Sequence, residues 1–327
     1  MHYFLSFGDR LKMFAKKIPL QLCQTIAIGS FLLLGGKWLG HVDITWLELL
    51  VVFSTVIILD FYLIWQLKDT KAFPFSAVNT GIGISLFLRT DLLFIYFVAG
   101  FIAIFSKYIV AIKDKHFLNP SYSAIFICLV LFQTDAYVTH VQWGNDWQVL
   151  LPILIMGAFV AWRAKVWDAV LMFFVSWFVL LNLFMEYTWH DLGVIYLTGA
   201  FFIMAFHGFT DPGTLPKLRR YRLLFVLQIA ILFFILRQFI NEGYSFFAAY
   251  FVVNLFEIFF WQIEKYKPQT KDYRLWLQGG LTVVLFGWLA YLSLVYYFNA
   301  DGLFPMLKTN RCAELFCQRG LEPLWAQ

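Results

Sequence analysis

Eleven apolar runs dominate this chain, and no fold that keeps water on its outside can hide them all. They fall at roughly 18–36, 46–66, 74–88, 91–112, 119–132, 149–162, 167–185, 193–207, 222–240, 244–262 and 275–298. A helix needs about 20 residues to cross a hydrocarbon core of about 30 Å. Backbone groups in lipid must find partners within their own segment, so the runs are read as helices. Of the 327 residues, 61% are hydrophobic and only 14% charged. A soluble domain carries roughly a quarter charged residues, so lipid must supply the outer solvent here. The expected fold is an all-α polytopic membrane protein of about eleven transmembrane helices.

The basic residues give an independent test of that count. With the N-terminus in the cytoplasm, the cytoplasmic loops hold Lys68 and Lys71, Lys113 and Lys115, Arg163 and Lys165, Lys217 to Arg222, and Lys265 to Arg274. The opposite side keeps only Lys37, Arg89, Arg237 and the tail residues Lys308, Arg311 and Arg319. The alternation survives every crossing, so the expected topology is N-terminus in, C-terminus out. Arg10, Lys12, Lys16 and Lys17 precede the first run like the basic region of a signal peptide. That run is too long and lacks a convincing cleavage site, so it is read as an uncleaved first helix. No basic stripe interleaved with aromatics lies outside the membrane-flanking loops, so the bilayer, and not nucleic acid, is the expected partner.

The runs also repeat. Thr90-Asp91 and Thr210-Asp211 lie 120 residues apart, Tyr122-Ser123 and Tyr244-Ser245 lie 122 apart, and runs two and seven start 121 apart. Five segments is an odd number, so the second copy must cross the membrane in the opposite sense. The expected organisation is a cytoplasmic N-terminus (1–17), a first five-helix repeat (18–133), an outer loop (134–148), an inverted second repeat (149–262), a loop with one extra helix (263–298) and an outer tail (299–327). Runs three and eight are the short ones in each copy. Short segments at matching positions are the best sequence pointer to a binding site in such folds; tilted helices in a thinned bilayer are the alternative.

Few residues in these runs can carry chemistry. Asn79 stands in run three with Thr80, Gly81 and Gly83, where an amide can recognise a ligand or the glycines can allow close helix packing. Asn254 and Glu257 share a face of run ten and are candidates for ion or proton handling; a helix-pairing acid is the alternative. Asp60 reads as a helix-pairing acid. His116 and His207 sit at helix ends, which does not suit the paired axial ligands of a transmembrane cytochrome b. His41, His140 and His190 fall in outer loops near acidic residues, where solvated side chains and an outer metal site are both open. Cys312 and Cys317 lie in the outer tail, where a local disulfide is permitted and two free thiols are the alternative. No nucleotide-binding, hydrolase or zinc motif is present, so no ATPase, hydrolase or nicotinamide enzyme is implied.

Two polar breaks carry a resemblance. Lys115-His116-Phe117-Leu118-Asn119-Pro120, followed by Ser121, resembles the K-x-x-F/L-N-P element of the NqrB/RnfD family, the membrane subunits of the sodium-pumping NADH:quinone oxidoreductase and of the Rnf complex. Phe209-Thr210-Asp211-Pro212-Gly213-Thr214 resembles that family's T-D-P-x-T/S element. The resemblance covers about residues 18–262 and implies ten helices in an inverted repeat. It implies a flavin-binding electron-transfer subunit of a bacterial inner membrane, working with other membrane or periplasmic redox subunits. His116, Asn119, Pro120, Ser121, Thr210, Asp211 and Thr214, with Asn79, are then the cofactor-binding candidates. Asn119 can cap the helix that Pro120 begins. The family's covalent FMN loop is not matched by Gln133–His140, so the expected cofactor is FMN or riboflavin held non-covalently. In this respect the chain is similar to compact relatives such as the UnbU-type proteins. Two other readings of the same architecture are a small-solute or ion transporter and a membrane anchor of a larger complex.

Overall fold

A computed structural model describes residues 19–68, 73–112, 115–138, 147–184, 198–211, 213–266 and 271–298. Each of the eleven apolar runs coincides with a helix: α1 (Leu20–Ser30), α2 (Trp46–Lys68), α3 (Phe75–Phe87), α4 (Leu93–Ile109), α5 (Pro120–Leu131), α6 (Trp147–Ala164), α7 (Trp167–Phe184), α8 (Gly199–Phe209), α9 (Arg219–Leu236), α10 (Glu242–Tyr266) and α11 (Lys271–Phe298). The chain continues from α1 through a π-helical stretch, Phe31–Trp38. Cys312 and Cys317 lie outside the described residues, as do His140, His190 and Pro212.

Local chemistry sets the helix ends. The Thr45 N–H donates to the Glu48 carboxylate and the Glu48 N–H to the Thr45 hydroxyl, a reciprocal cap at the start of α2. Asn119 caps α5 by accepting the Tyr122 N–H, with Pro120 at the first helical position. Thr198 caps α8 in the same way through the Phe201 N–H. The buried Arg89 closes the far end of α3, donating to the carbonyls of Ser85, Leu86 and Leu88. The basic run before α9 differs from the loop expected there, because Arg219, Arg220 and Arg222 already belong to the helix. Its uncapped start tolerates them because Asp168 at the start of α7 accepts from Arg219 and Arg222.

Among the described residues five helical stretches are long and apolar enough to cross a membrane: Trp46–Leu67, Trp147–Ala164, Trp167–Phe184, Glu242–Gln262 and Arg274–Leu292. The stretch in α10 is 61% buried and the other four 22–39%, which makes α10 the central helix of the five. Outward faces carry large apolar side chains such as Leu50, Ile58, Ile155, Val175 and Val283. That surface fits contact with a bilayer and not with water. The interior is aromatic. Trp177 stacks on Phe233; Phe246 packs edge to face on Phe173 and Tyr122, as Tyr122 does on Tyr250, while Phe201 and Phe209 lie tilted against Phe173.

In the first half α1 packs on α3, α2 on α3 and α4, α3 on α4 and α5, and α4 on α5. In the second half α6 packs on α7 and α8, α7 on α8 and α9, and α9 on α10. The halves meet where α1 lies on α6 and α5 on α10. α11 adds to the outside of α9 and α10. Two short antiparallel ladders fasten the loops, Leu88–Arg89 with Tyr137–Val138 and Ala111–Ile112 with Lys115–His116.

Candidate functional site

A cavity of about 310 Å³ opens between the first turns of α1, α3 and α5 and the last turn of α8. Its size sits at the low end of small-molecule sites, roughly 300–1,000 Å³. Asn79, His116, Asn119, Pro120, Ser121 and Asp211 all line it. Residues more than a hundred positions apart in the chain are thus brought to one wall. Thr210 and Thr214 stand behind it. Thr210 lines an adjoining small void, and Thr214 is fully buried.

The β-ladder that ends at His116 turns the chain into α5 and sets His116 opposite the turn after α8. His116 Nε2 lies 3.3 Å from the Asp211 carboxylate. The other Asp211 oxygen accepts the Gly213 N–H at 2.9 Å, and the Thr214 hydroxyl donates to the Asp211 carbonyl. Asp211 therefore organises its own turn as well as the pair. Burial pushes its carboxyl up, but the hydrogen bond and charge of His116, the Gly213 N–H and His207 outweigh it, and the group stays below the usual carboxylate range. Gly213 lies so close to His116 that a β-carbon there would collide with the imidazole.

Asn119 uses its carbonyl oxygen twice, for the Tyr122 N–H and for the Ser121 hydroxyl at 3.0 Å. Ser121 in turn lies 3.3 Å from His207 Nε2. Gly83 makes this approach possible, since a β-carbon at that position would meet both Ser121 and His207. Gly81 does the same for Phe53 and Val56 of α2. The glycines of run three are thus packing devices. Asn79 also has a structural duty. Its oxygen accepts the Thr25 hydroxyl at 2.6 Å, and its amide donates to the Gln21 carbonyl at 3.1 Å and the Gln24 side chain at 3.4 Å. Gln24 then donates to the Thr210 carbonyl at 2.9 Å. The first helix is stitched to α3 and to the Asp211 turn by these amides, around the cavity rim.

Gln21, Gln24, Ser76, Thr80, His207 and Gly213 line the cavity as well. Gln21 and Gln24 are not among the residues expected at the site, although two glutamines at i and i+3 in an apolar first helix are a sequence signal for it. The lining contains no Lys or Arg, and Asp211 is its one carboxylate among the described residues. The wall offers amides, hydroxyls and imidazoles, a set suited to the polar edges of a flat ring. Among the described residues it offers no Lys or Arg to neutralise a phosphate. The N–H groups at the start of α5 are also partly used by the Asn119 cap.

The other candidates lie elsewhere. Asn254 and Glu257 do not line this cavity. Glu257 pairs with Arg274 of α11 at 2.6 Å, both almost fully buried. Asp60 is a helix-pairing acid, bound by Lys107 of α4 at 2.8 and 3.0 Å and by the Tyr108 hydroxyl at 2.7 Å. Cys23 and Cys128 are buried free thiols. Among the described residues no group of three or more His, Cys, Asp or Glu side chains could hold a metal ion. No protein-family model matches the chain, and no curated protein matches it.

Proposed function

We propose that the chain is a membrane-embedded electron-transfer subunit of the NqrB/RnfD type that holds an uncharged flavin ring non-covalently in this cavity. One observation carries the reading. The two stretches that resemble the family's elements, 95 residues apart at His116 and Asp211, face each other across the same cavity wall. Rigid turns with no shared purpose would have no reason to meet there. Of the two flavins, riboflavin suits the described wall better than FMN, because the phosphate of FMN would find a carboxylate and no Lys or Arg among the described lining residues. The chain's residues bind and orient the ring and shield it from lipid; a bound flavin would supply the one- and two-electron chemistry.

The architecture supports the same reading. The pairings α1–α3, α2–α3, α2–α4 and α4–α5 recur in the second half with both numbers raised by five, and the halves touch through α1–α6 and α5–α10. Such neighbours fit a 5+5 repeat in which equivalent helices meet at a pseudo-two-fold axis. In the N-terminus-in orientation the cavity faces the cytoplasm of a bacterial cell, with α11 as an addition and eleven crossings in all. On that side Asp60–Lys107, His116–Asp211, Asp168–Arg222 and Glu257–Arg274 tie neighbouring helices together. Helices tied together by buried ion pairs suit a fixed cofactor site better than a transporter that must part those helices to alternate access.

The absorbance spectrum of the protein purified from its native membrane tests the proposal. A flavin spectrum, released from the protein by denaturation and running as riboflavin, is expected. A preparation without flavin absorbance that restores solute uptake to liposomes would replace this reading with the transporter one.

A further inference from the structure

The wall formed by α9, α10 and α11 holds a second polar cluster, separate from the cavity. Glu257 and Arg274 form its centre, 1% and 5% exposed. The Arg274 guanidinium also lies over the Tyr221 ring of α9, 4.2 Å from its centroid. Gln278, one turn beyond Arg274, donates to the second Glu257 oxygen at 3.3 Å. Its backbone carbonyl accepts from Gln228 of α9 at 2.9 Å, and Gln228 donates on to the Thr282 hydroxyl at 3.1 Å. Asn254 stands three residues before Glu257 on the same face of α10.

Two amides in this cluster are incomplete. Asn254 is fully buried, and neither its oxygen nor its nitrogen has a partner. Gln278 is equally buried, and its side-chain oxygen has none either. Leaving a buried amide unpaired costs more than a typical hydrogen bond gains, and a helix surrounded by lipid has no bulk water to relieve it.

We propose that Asn254 and Gln278 anchor an internal water site beside the Glu257–Arg274 pair. The occupant must accept from Asn254 Nδ2 and donate to Asn254 Oδ1 and Gln278 Oε1. It must also be neutral, because Glu257 and Arg274 already balance each other. Water meets all three conditions. A bare monovalent cation would serve the two oxygens and leave Nδ2 unpaired. An anion would serve Nδ2 and face the Glu257 carboxylate. The site supplies the solvation that a buried ion pair loses, and it assigns Asn254 to that role in place of ion binding. The proposal is independent of what the cavity binds.

Infrared spectroscopy of the full-length protein in nanodiscs, in ordinary and in 18O-labelled water, reads the site directly. A narrow water O–H stretch that shifts with 18O and disappears in Asn254→Leu is expected, together with a lower melting temperature of that variant. Absence of an 18O-sensitive band that depends on Asn254, with an unchanged or raised melting temperature, would overturn the proposal. So would a rise in melting temperature on exchanging choline chloride for sodium, potassium or lithium chloride that Asn254→Leu abolishes, since that marks a cation site. Should Asn254→Leu fail to assemble, Gln278→Leu carries the same comparison, and retention of the full band in it would equally count against the site.

Discussion

Asp211 holds together three things at once: its own turn, the His116 imidazole and the electrostatics of the cavity. Removing its charge therefore has a signed consequence. Asp211→Asn is expected to destabilise the protein by about 1 kcal/mol at neutral pH, discounted for a side chain still 26% exposed. The folded-state pKa is depressed, so this stability is fully present above the unfolded value of about 3.9 and is lost as pH falls through the folded value. Melting temperatures of wild type and Asp211→Asn should accordingly differ at pH 7 and converge in acid; a gap that widened in acid would contradict the pairing. Gly213→Ala probes the same contact from the other side. Its β-carbon displaces His116, so it should weaken ligand binding, and adding His116→Ala should cost little more. Flavin retention after gel filtration measures both variants.

At the scale of elements, α11 is attached by a buried ion pair whose two members respond very differently to single and double replacement. Glu257→Gln alone leaves Arg274 buried without its counter-charge and should cost about 3–5 kcal/mol, whereas an apolar pair, Glu257→Leu with Arg274→Met, should recover most of that. Thermal unfolding of the three variants checks the order, and equal losses in single and double variants would refute it. These elements also divide what the sequence discloses from what it hides. Apolar runs mark helices because lipid leaves the backbone no other choice, and every run is indeed helical. Asn119-Pro120 marks a helix start because capping is a local event. The partner of Glu257 is not local. It lies on the next helix, and only packing decides that Arg274 reaches it. Asn79 shows the same limit. Its residue type announces a polar duty in the membrane, but the fold decides that the duty is to hold α1.

For the molecule as a whole, the decisive question is whether the two halves run through the bilayer in opposite senses. Among the described residues five stretches are long enough to cross by themselves, and α3, α5 and α8 are short. The ends of these short helices build the cavity. Side-specific labelling separates the possibilities, because an inverted repeat puts equivalent loops on opposite faces. In a variant lacking native cysteines, single cysteines at Trp38, Asp91 and Phe239 belong outside, and those at Lys165 and Lys217 inside. All five positions are exposed. Asp91 follows α3, and its repeat equivalent follows α8 at the cavity, so the pair 91 and 217 tests the inversion itself. A membrane-impermeant maleimide applied to intact spheroplasts should label positions 38, 91 and 239, and reach 165 and 217 only after permeabilisation. Labelling of 91 and 217 from the same side would mean that the halves are parallel, and the cavity would then not lie at an inverted-repeat interface.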